Sequence, residues 1–291
     1  MITCGLMGGL GNQMFQIFTT ISYAIQSENN YKFTNTVTLF DGIRHTYWDS
    51  FLSELKSKTT GMFPAMTRIK ESSFEHHDID LDEIRGKNVM LNGYFQSYKY
   101  FENNYNMICK IIMLHNKKLE VLQKTDYTTD ILLNSISLHF RMGDYKTLQH
   151  IHPIMNYEYY KNALTYIEVH LNNKESYQNK SYQNKSYQVL YFCEDSDIEE
   201  ANDIIHDLEI MFSRFNFIRC DNKLQDWEQL LVMSLCGHNI IANSTFSWWG
   251  AYLNECESKI VCYPQLWFGA DVTHNTIDMF PPDWVVINAV L

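Results

Sequence analysis

The sequence holds seven cysteines but no Cys-x-x-Cys pair. Neither a zinc ribbon nor a disulfide framework is indicated, and reduced thiols in a cytoplasmic setting are expected. No stretch approaches the roughly 20 apolar residues of a membrane span, and the N-terminus has no basic region followed by an apolar run, so no signal peptide is expected. Positive charge is scarce: 23 Lys and Arg stand against 34 Asp and Glu, a net charge of −11. Broad binding to nucleic acid or an anionic membrane needs a basic field and is excluded on that ground. An anionic ligand would need a local cluster of donors working against the overall charge. The glycine turn at 8–11 has neither the Gly-x-Gly-x-x-Gly spacing of dinucleotide sites nor the lysine of a P-loop.

What is present describes a globular chain. It has 291 residues, 45% hydrophobic and 14% aromatic, enough for one large domain or two small ones. A short strand leads into Gly8-Gly9-Leu10-Gly11, and Met14, Ile17, Phe18, Ile21 and Ile25 then keep helical spacing along one expected buried face. Residues 30–90 are irregular. An aromatic block follows at 93–101, then one helix carrying Ile108, Ile111, Ile112, Leu114 and Leu119. Near residue 130 the character changes. Strands at 136–141, 189–193, 215–220, 240–242 and 259–263 alternate with helices at 157–170, 198–211, 226–236 and 246–253. Such alternation predicts a parallel sheet with helices on its faces, and ligands of such sheets sit beyond the carboxyl ends of the strands. We place a domain boundary there, giving 1–130 and 131–291, with a polar repeat built on Lys-Ser-Tyr-Gln-Asn at 174–188 as an insertion of no functional role.

Three motifs fall at expected strand ends. In His139-Phe140-Arg141-Met142-Gly143-Asp144-Tyr145, alternation puts His139 and Arg141 on one face and Phe140 on the other. The planar guanidinium suits two-pronged contact with a phosphate, though an Arg–Asp pair within the turn fits equally. In Glu194-Asp195-Ser196-Asp197, the Asp-x-Asp spacing is that of carboxylates holding a divalent cation on a sugar diphosphate. Capping of the helix from Ile198 and a carboxylate on a guanine edge are the alternatives. In Asn243-Ser244-Thr245-Phe246-Ser247-Trp248-Trp249-Gly250, hydroxyls and unpaired amides at a helix start make a phosphate site or serve only as caps. The acidic run Asp78, Asp80, Asp82 is read as solvated.

With these pieces together, the chain resembles the alpha-1,2-fucosyltransferases of glycosyltransferase family 11 over nearly its whole length. The resemblance is carried by 8–16, by Gly93-Tyr94-Phe95-Gln96-Ser97, by the His139–Tyr145 run (similar to a His-x-Arg-Arg-x-Asp motif), by Cys193-Glu194-Asp195 and by 243–250. It implies an α/β fold of GT-B type, two Rossmann-like domains facing across a cleft, the first on the acceptor side and the second holding GDP-fucose. It further implies inverting transfer of L-fucose to a hydroxyl of a galactose-containing glycan, with no cofactor and no metal. By the same resemblance Arg141 would hold the beta-phosphate, His139 and Asp195 the guanosine, and Asn243, Ser244, Thr245 and Phe246 the diphosphate, with Asn12 at the cleft. Asp144, just past the strand end, is the candidate general base. One departure stands out: the motif's second arginine is Met142 here. A protein O-fucosyltransferase, a metal-dependent transferase using Asp195 and Asp197, and a non-catalytic GDP-sugar binding module are the competing readings.

Overall fold

The computed structural model describes residues 1–39, 44–177 and 187–288. Most of the 174–188 repeat therefore lies outside the described residues. The chain divides into two compact units, one comprising Met1–Leu119 with His274–Pro282 and the other Glu120–Thr273 with Asp283–Leu291. The division falls at 119/120, where the sequence reading put it near 130, and a short segment late in the chain belongs to the first unit.

The first unit contains strands β1 (Ile2–Cys4), β2 (Phe33–Thr34), β3 (Thr59–Thr60), β4 (Thr67–Lys70) and β5 (Val89–Asn92). A three-stranded sheet has the order β1-β5-β4, every pairing parallel, and β2 pairs with β3. After β1, Gly8 turns the chain with φ of 74°; a Cβ there would lie 2.4 Å from the Asn12 amide, so only glycine fits. Helix α1 (Leu10–Gln26) follows. It is buried on nearly all sides rather than along one face, with Gln13, Gln16, Thr19, Thr20 and Ser22 inside, whereas Ile25 is exposed. The cause is packing from two directions, β1 on one side and the aromatic segment around Phe101 on the other; Phe18 and Phe101 meet edge to face at 5.4 Å. A short helix, α2 (Leu81–Ile84), starts from Asp80, whose carboxylate accepts the Asp82 amide. The single helix expected at 108–119 is two, α3 (Tyr105–Ile111) and α4 (Leu114–Lys124), broken where Met113 takes a φ of 51°.

The second unit has helices α5 (Thr129–Leu133), α6 (Tyr157–Tyr177), α7 (Ile198–Met211), α8 (Asp226–Leu235) and α9 (Thr245–Tyr252) around strands β6 (Ser135–His139), β7 (Tyr187–Phe192), β8 (Phe215–Arg219), β9 (His238–Ile240), β10 (Val261–Pro264) and β11 (Val285–Ile287). The six strands form one parallel sheet in the order β11-β10-β9-β6-β7-β8. Counted within the unit, this is 6-5-4-1-2-3, the Rossmann order, and the direction of winding reverses between β6 and β9. Strand β11 was not foreseen. Gly250 lets α9 lie close on α8, since a Cβ there would come 2.8 Å from the Met233 Cβ. Among the described residues no helix is long and apolar enough to cross a membrane.

Candidate active site at the strand ends of the second unit

The winding reverses between the carboxyl ends of β6 and β9, with β7 on the far side of β6. In an open parallel sheet this is where a ligand fits. The chain segments leaving these three strands are the three motifs read from the sequence, so topology alone brings together residues 139–145, 194–197 and 243–247.

Alternation sorts the first motif. Leu138, Phe140 and Met142 all lie in the hydrophobic core, packed with Tyr159, Tyr160 and Met155. Ser137, His139 and Arg141 take the opposite set of positions. Met142 is thus a core residue, 4% exposed, and a thioether there stabilises packing rather than subtracting charge from a ligand. The ladder runs one residue past β6, through the Phe140 amide to the Phe192 carbonyl at 2.8 Å. Arg141 then leaves the sheet. Its Nη1 donates to Glu194 and its Nη2 to Asp144, and the guanidinium lies over the Tyr145 ring, 5.0 Å from its centroid. Burial works to lower the Arg141 pKa, but the Asp144 and Glu194 carboxylates outweigh it and the net shift is upward. The fork that would grip a phosphate is held by two carboxylates, so Asp144 here braces Arg141.

His139 is buried beneath this pair, its ring 5.5 Å from that of Phe246, with no hydrogen-bond partner for Nδ1 among the described residues. Burial, and then the positive charge of Arg141, push its pKa down to about 3, so the imidazole is neutral at physiological pH. Past the end of β9, the Asn243 side-chain amide donates to the carbonyls of Pro153 (2.9 Å) and Trp267 (3.2 Å), while its Oδ1 is buried without a partner among the described residues. The Tyr145 hydroxyl donates to the Asn243 carbonyl at 3.3 Å, linking the ends of β6 and β9. Ser244 is the N-cap of α9; its hydroxyl accepts the Phe246 amide at 3.3 Å. The capping reading of Ser244 therefore holds in this structure, and Thr245 and Phe246 form the first turn beside it.

The two aspartates of the Asp-x-Asp run separate. Asp195 is 71% exposed and accepts from Arg219 Nη2 at 2.5 Å and from the Asn222 amide at 3.2 Å; the bond from Arg219 holds its pKa below the usual carboxylate range. Asp197 is 2% exposed, accepts the Gly143 amide at 2.7 Å and pairs with Lys146 at 3.0 Å. Both of its oxygens are engaged in fastening the 143–147 turn to the start of α7. Sequence reasoning missed that clamp, the Glu194 grip on Arg141 and the Arg219–Asp195 pair, all of which link residues more than twenty positions apart. Asn12 lies in the first unit, on α1, where it accepts from the Gln96 side chain at 2.9 Å.

An alpha-1,2-colitosyltransferase of Escherichia coli is 25% identical over 98% of this chain and 98% of its own. The O-antigen biosynthesis glycosyltransferase WbnK of Escherichia coli is 30% identical over 61% of this chain and 55% of its own. A solved structure of a mutant Arabidopsis thaliana FUT1 in complex with GDP is 10% identical and covers 90% of this chain and 70% of its own, with a TM-score of 0.47. The model of glycosyl transferase family 11 matches residues 1–288, and the chain belongs to that family of glycosyltransferases.

Proposed function

We propose that this glycosyltransferase moves L-fucose from GDP-fucose to a hydroxyl of a galactoside, with inversion, forming an alpha-1,2 linkage. One observation supports the reading above the others: Arg141 stands at the β6 end of the winding reversal and lies over Tyr145, whose hydroxyl donates to the Asn243 carbonyl just before the capped start of α9. Breaking the bond from the sugar to GDP leaves negative charge on the beta-phosphate, and preorganised donors at that point lower the barrier. Arg141 is charged and oriented before donor arrives. Its carboxylate partners are about half exposed, so the pyrophosphate takes the place of one of them on the guanidinium without a large rearrangement. His139 and Asp195 then border the guanosine, and Asn243, Ser244, Thr245 and Phe246 the diphosphate. The reaction needs no resident metal in this reading, because Arg141 and the α9 start supply the positive field and Asp197 is committed to Gly143 and Lys146.

The test is release of GDP from GDP-fucose with a panel of galactosides, with and without EDTA, followed by linkage analysis of the product. Transfer that is insensitive to EDTA supports the reading. Loss of activity in EDTA would return Asp195 and Asp197 to a metal-binding role, and GDP binding without turnover would make the chain a binding module. The colitosyl specificity in the name of one relative makes the corresponding colitose donor the rival substrate to run beside fucose.

A further inference from the structure

The reaction proposed above also requires a group to take the proton of the acceptor hydroxyl, and the rim residues can be tested one by one. Asp144 and Glu194 are on Arg141. Asp195 is on Arg219 and Asn222. Asp197 is buried between Gly143 and Lys146. His139 is buried, and its preference for the neutral form is so strong that it cannot hold a proton near neutral pH. Donor binding releases at most one of the two carboxylates on Arg141, and that one then stands against the negative charge of the pyrophosphate; His152 is a neutral acceptor beside the same network. His152 lies flat on the Tyr145 ring, with centroids 4.6 Å apart and planes 15° apart, and meets Phe268 at 5.9 Å. Tyr145 in turn carries the Arg141 guanidinium. The imidazole is part-exposed and engages the protein through its ring faces.

Resting on the donor assignment above, we infer that His152 is the general base of the transfer. The acceptor O–H bond breaks and its proton passes to an imidazole nitrogen. The acceptor oxygen forms its bond to the sugar C1 as the C1–O bond to the beta-phosphate breaks, the electron pair leaving with GDP; the imidazolium then returns its proton to solvent. The charged groups facing His152 are Asp144, which favours the protonated form, and Arg141, which opposes it; burial outweighs both and keeps the ring neutral at pH 7. Tyr145 and Phe268 meet it ring to ring.

Two variants separate proton transfer from ring packing. His152→Gln removes the base, and His152→Phe keeps a ring on Tyr145 but takes no proton. Both should lower kcat by about 10²–10⁴, leave GDP affinity by calorimetry within about twofold, and abolish the acid limb of the kcat/KM profile that wild type shows below its imidazole pKa. A His152→Phe enzyme with near wild-type kcat would reduce the residue to a support for Tyr145 and overturn the proposal, as would a His152→Gln profile that keeps its acid limb. Wild type that transfers no sugar from GDP-fucose sinks the donor assignment and this role together; wild-type transfer with an unaffected His152→Gln sinks this role alone.

Discussion

The two units are both built on parallel sheets, yet α1 of the first and the strand ends of the second use their polar side chains in opposite ways. In the first, β2 and β3 have two residues each and β4 and β5 four, and the polar groups of α1 are turned inward on the backbone. Gln13 donates to the carbonyls of Gly8 (3.0 Å) and His45 (2.8 Å), and Gln16 exchanges two hydrogen bonds with the Met7 backbone at 2.9 and 3.0 Å. In the second, charged side chains collect at the strand ends and bind one another: Arg141 with Asp144 and Glu194, Arg219 with Asp195, Lys146 with Asp197 and Glu200. A bond to backbone fixes a shape. An ion pair at an open rim fixes a geometry and can be exchanged for the charges of a ligand. The first arrangement suits a scaffold, the second the donor site proposed above.

The largest effect that would sharpen this contrast is on Arg141. Arg141→Ala should lower kcat by about 10²–10³, the cost of one preorganised donor. Its melting temperature should hardly change, because partly exposed ion pairs contribute at most about 1 kcal/mol each. Steady-state kinetics beside thermal melting reads both. If Asn12→Ala, in the first unit, cost as much turnover as Arg141→Ala, the division of labour between the units would fail. The reverse experiment belongs to Gln16, which is fully buried. Gln16→Leu keeps the volume but strands the Met7 amide and carbonyl, and should lower unfolding free energy by about 2–3 kcal/mol, measured in urea, with GDP affinity unchanged. A shift in GDP affinity without loss of stability would give α1 a part in donor binding.

The contrast also decided what could be read from the sequence. In the second unit, strand and helix alternate at lengths where period matters. The helix at 198–211 has the bounds expected of it, and the order of strands gathers the three motifs where parallel-sheet ligands bind. Arg141 against Met142 was legible too, because period two alone sends one to the rim and the other to the core. In the first unit, strands of two residues carry no period, and α1 is buried nearly all round, polar residues included, where its apolar spacing suggests a single buried face. The break at Met113 depends on one residue taking positive φ, which the side chain does not announce. Asp197 is the instructive case. Its sequence surroundings fit a metal ligand or a cap, and the choice between them lies with Gly143, 54 positions away. His152 had no local signal at all; its place follows from a stack on Tyr145.

The smallest of the expected effects compares two histidines, one in each unit. Both are shifted down by burial, but His76 has Asp78 and Asp278 beside it to offset the loss, while His139 faces only Arg141. The unfolded chain has an ordinary imidazole near 6.5; folded His139 is held at about 3. Between those values the unfolded state binds the extra proton and the folded state does not. Stability therefore falls as pH drops below 6.5 and stops falling from this source below about 3. Each pH unit inside that window is worth about 1.4 kcal/mol, so lowering the pH from 6.5 to 5 should cost wild type about 2 kcal/mol through His139. In His139→Gln that contribution is gone: its stability relative to wild type should improve by about this amount between pH 7 and pH 5, in urea titrations at each pH. His76→Gln should show a shallower version of the same trend, since its carboxylate neighbours favour the proton that burial rejects. Parallel curves for wild type and His139→Gln would mean that the imidazole finds a proton acceptor in the folded protein, and that the surroundings of His139 are wetter than their packing shows.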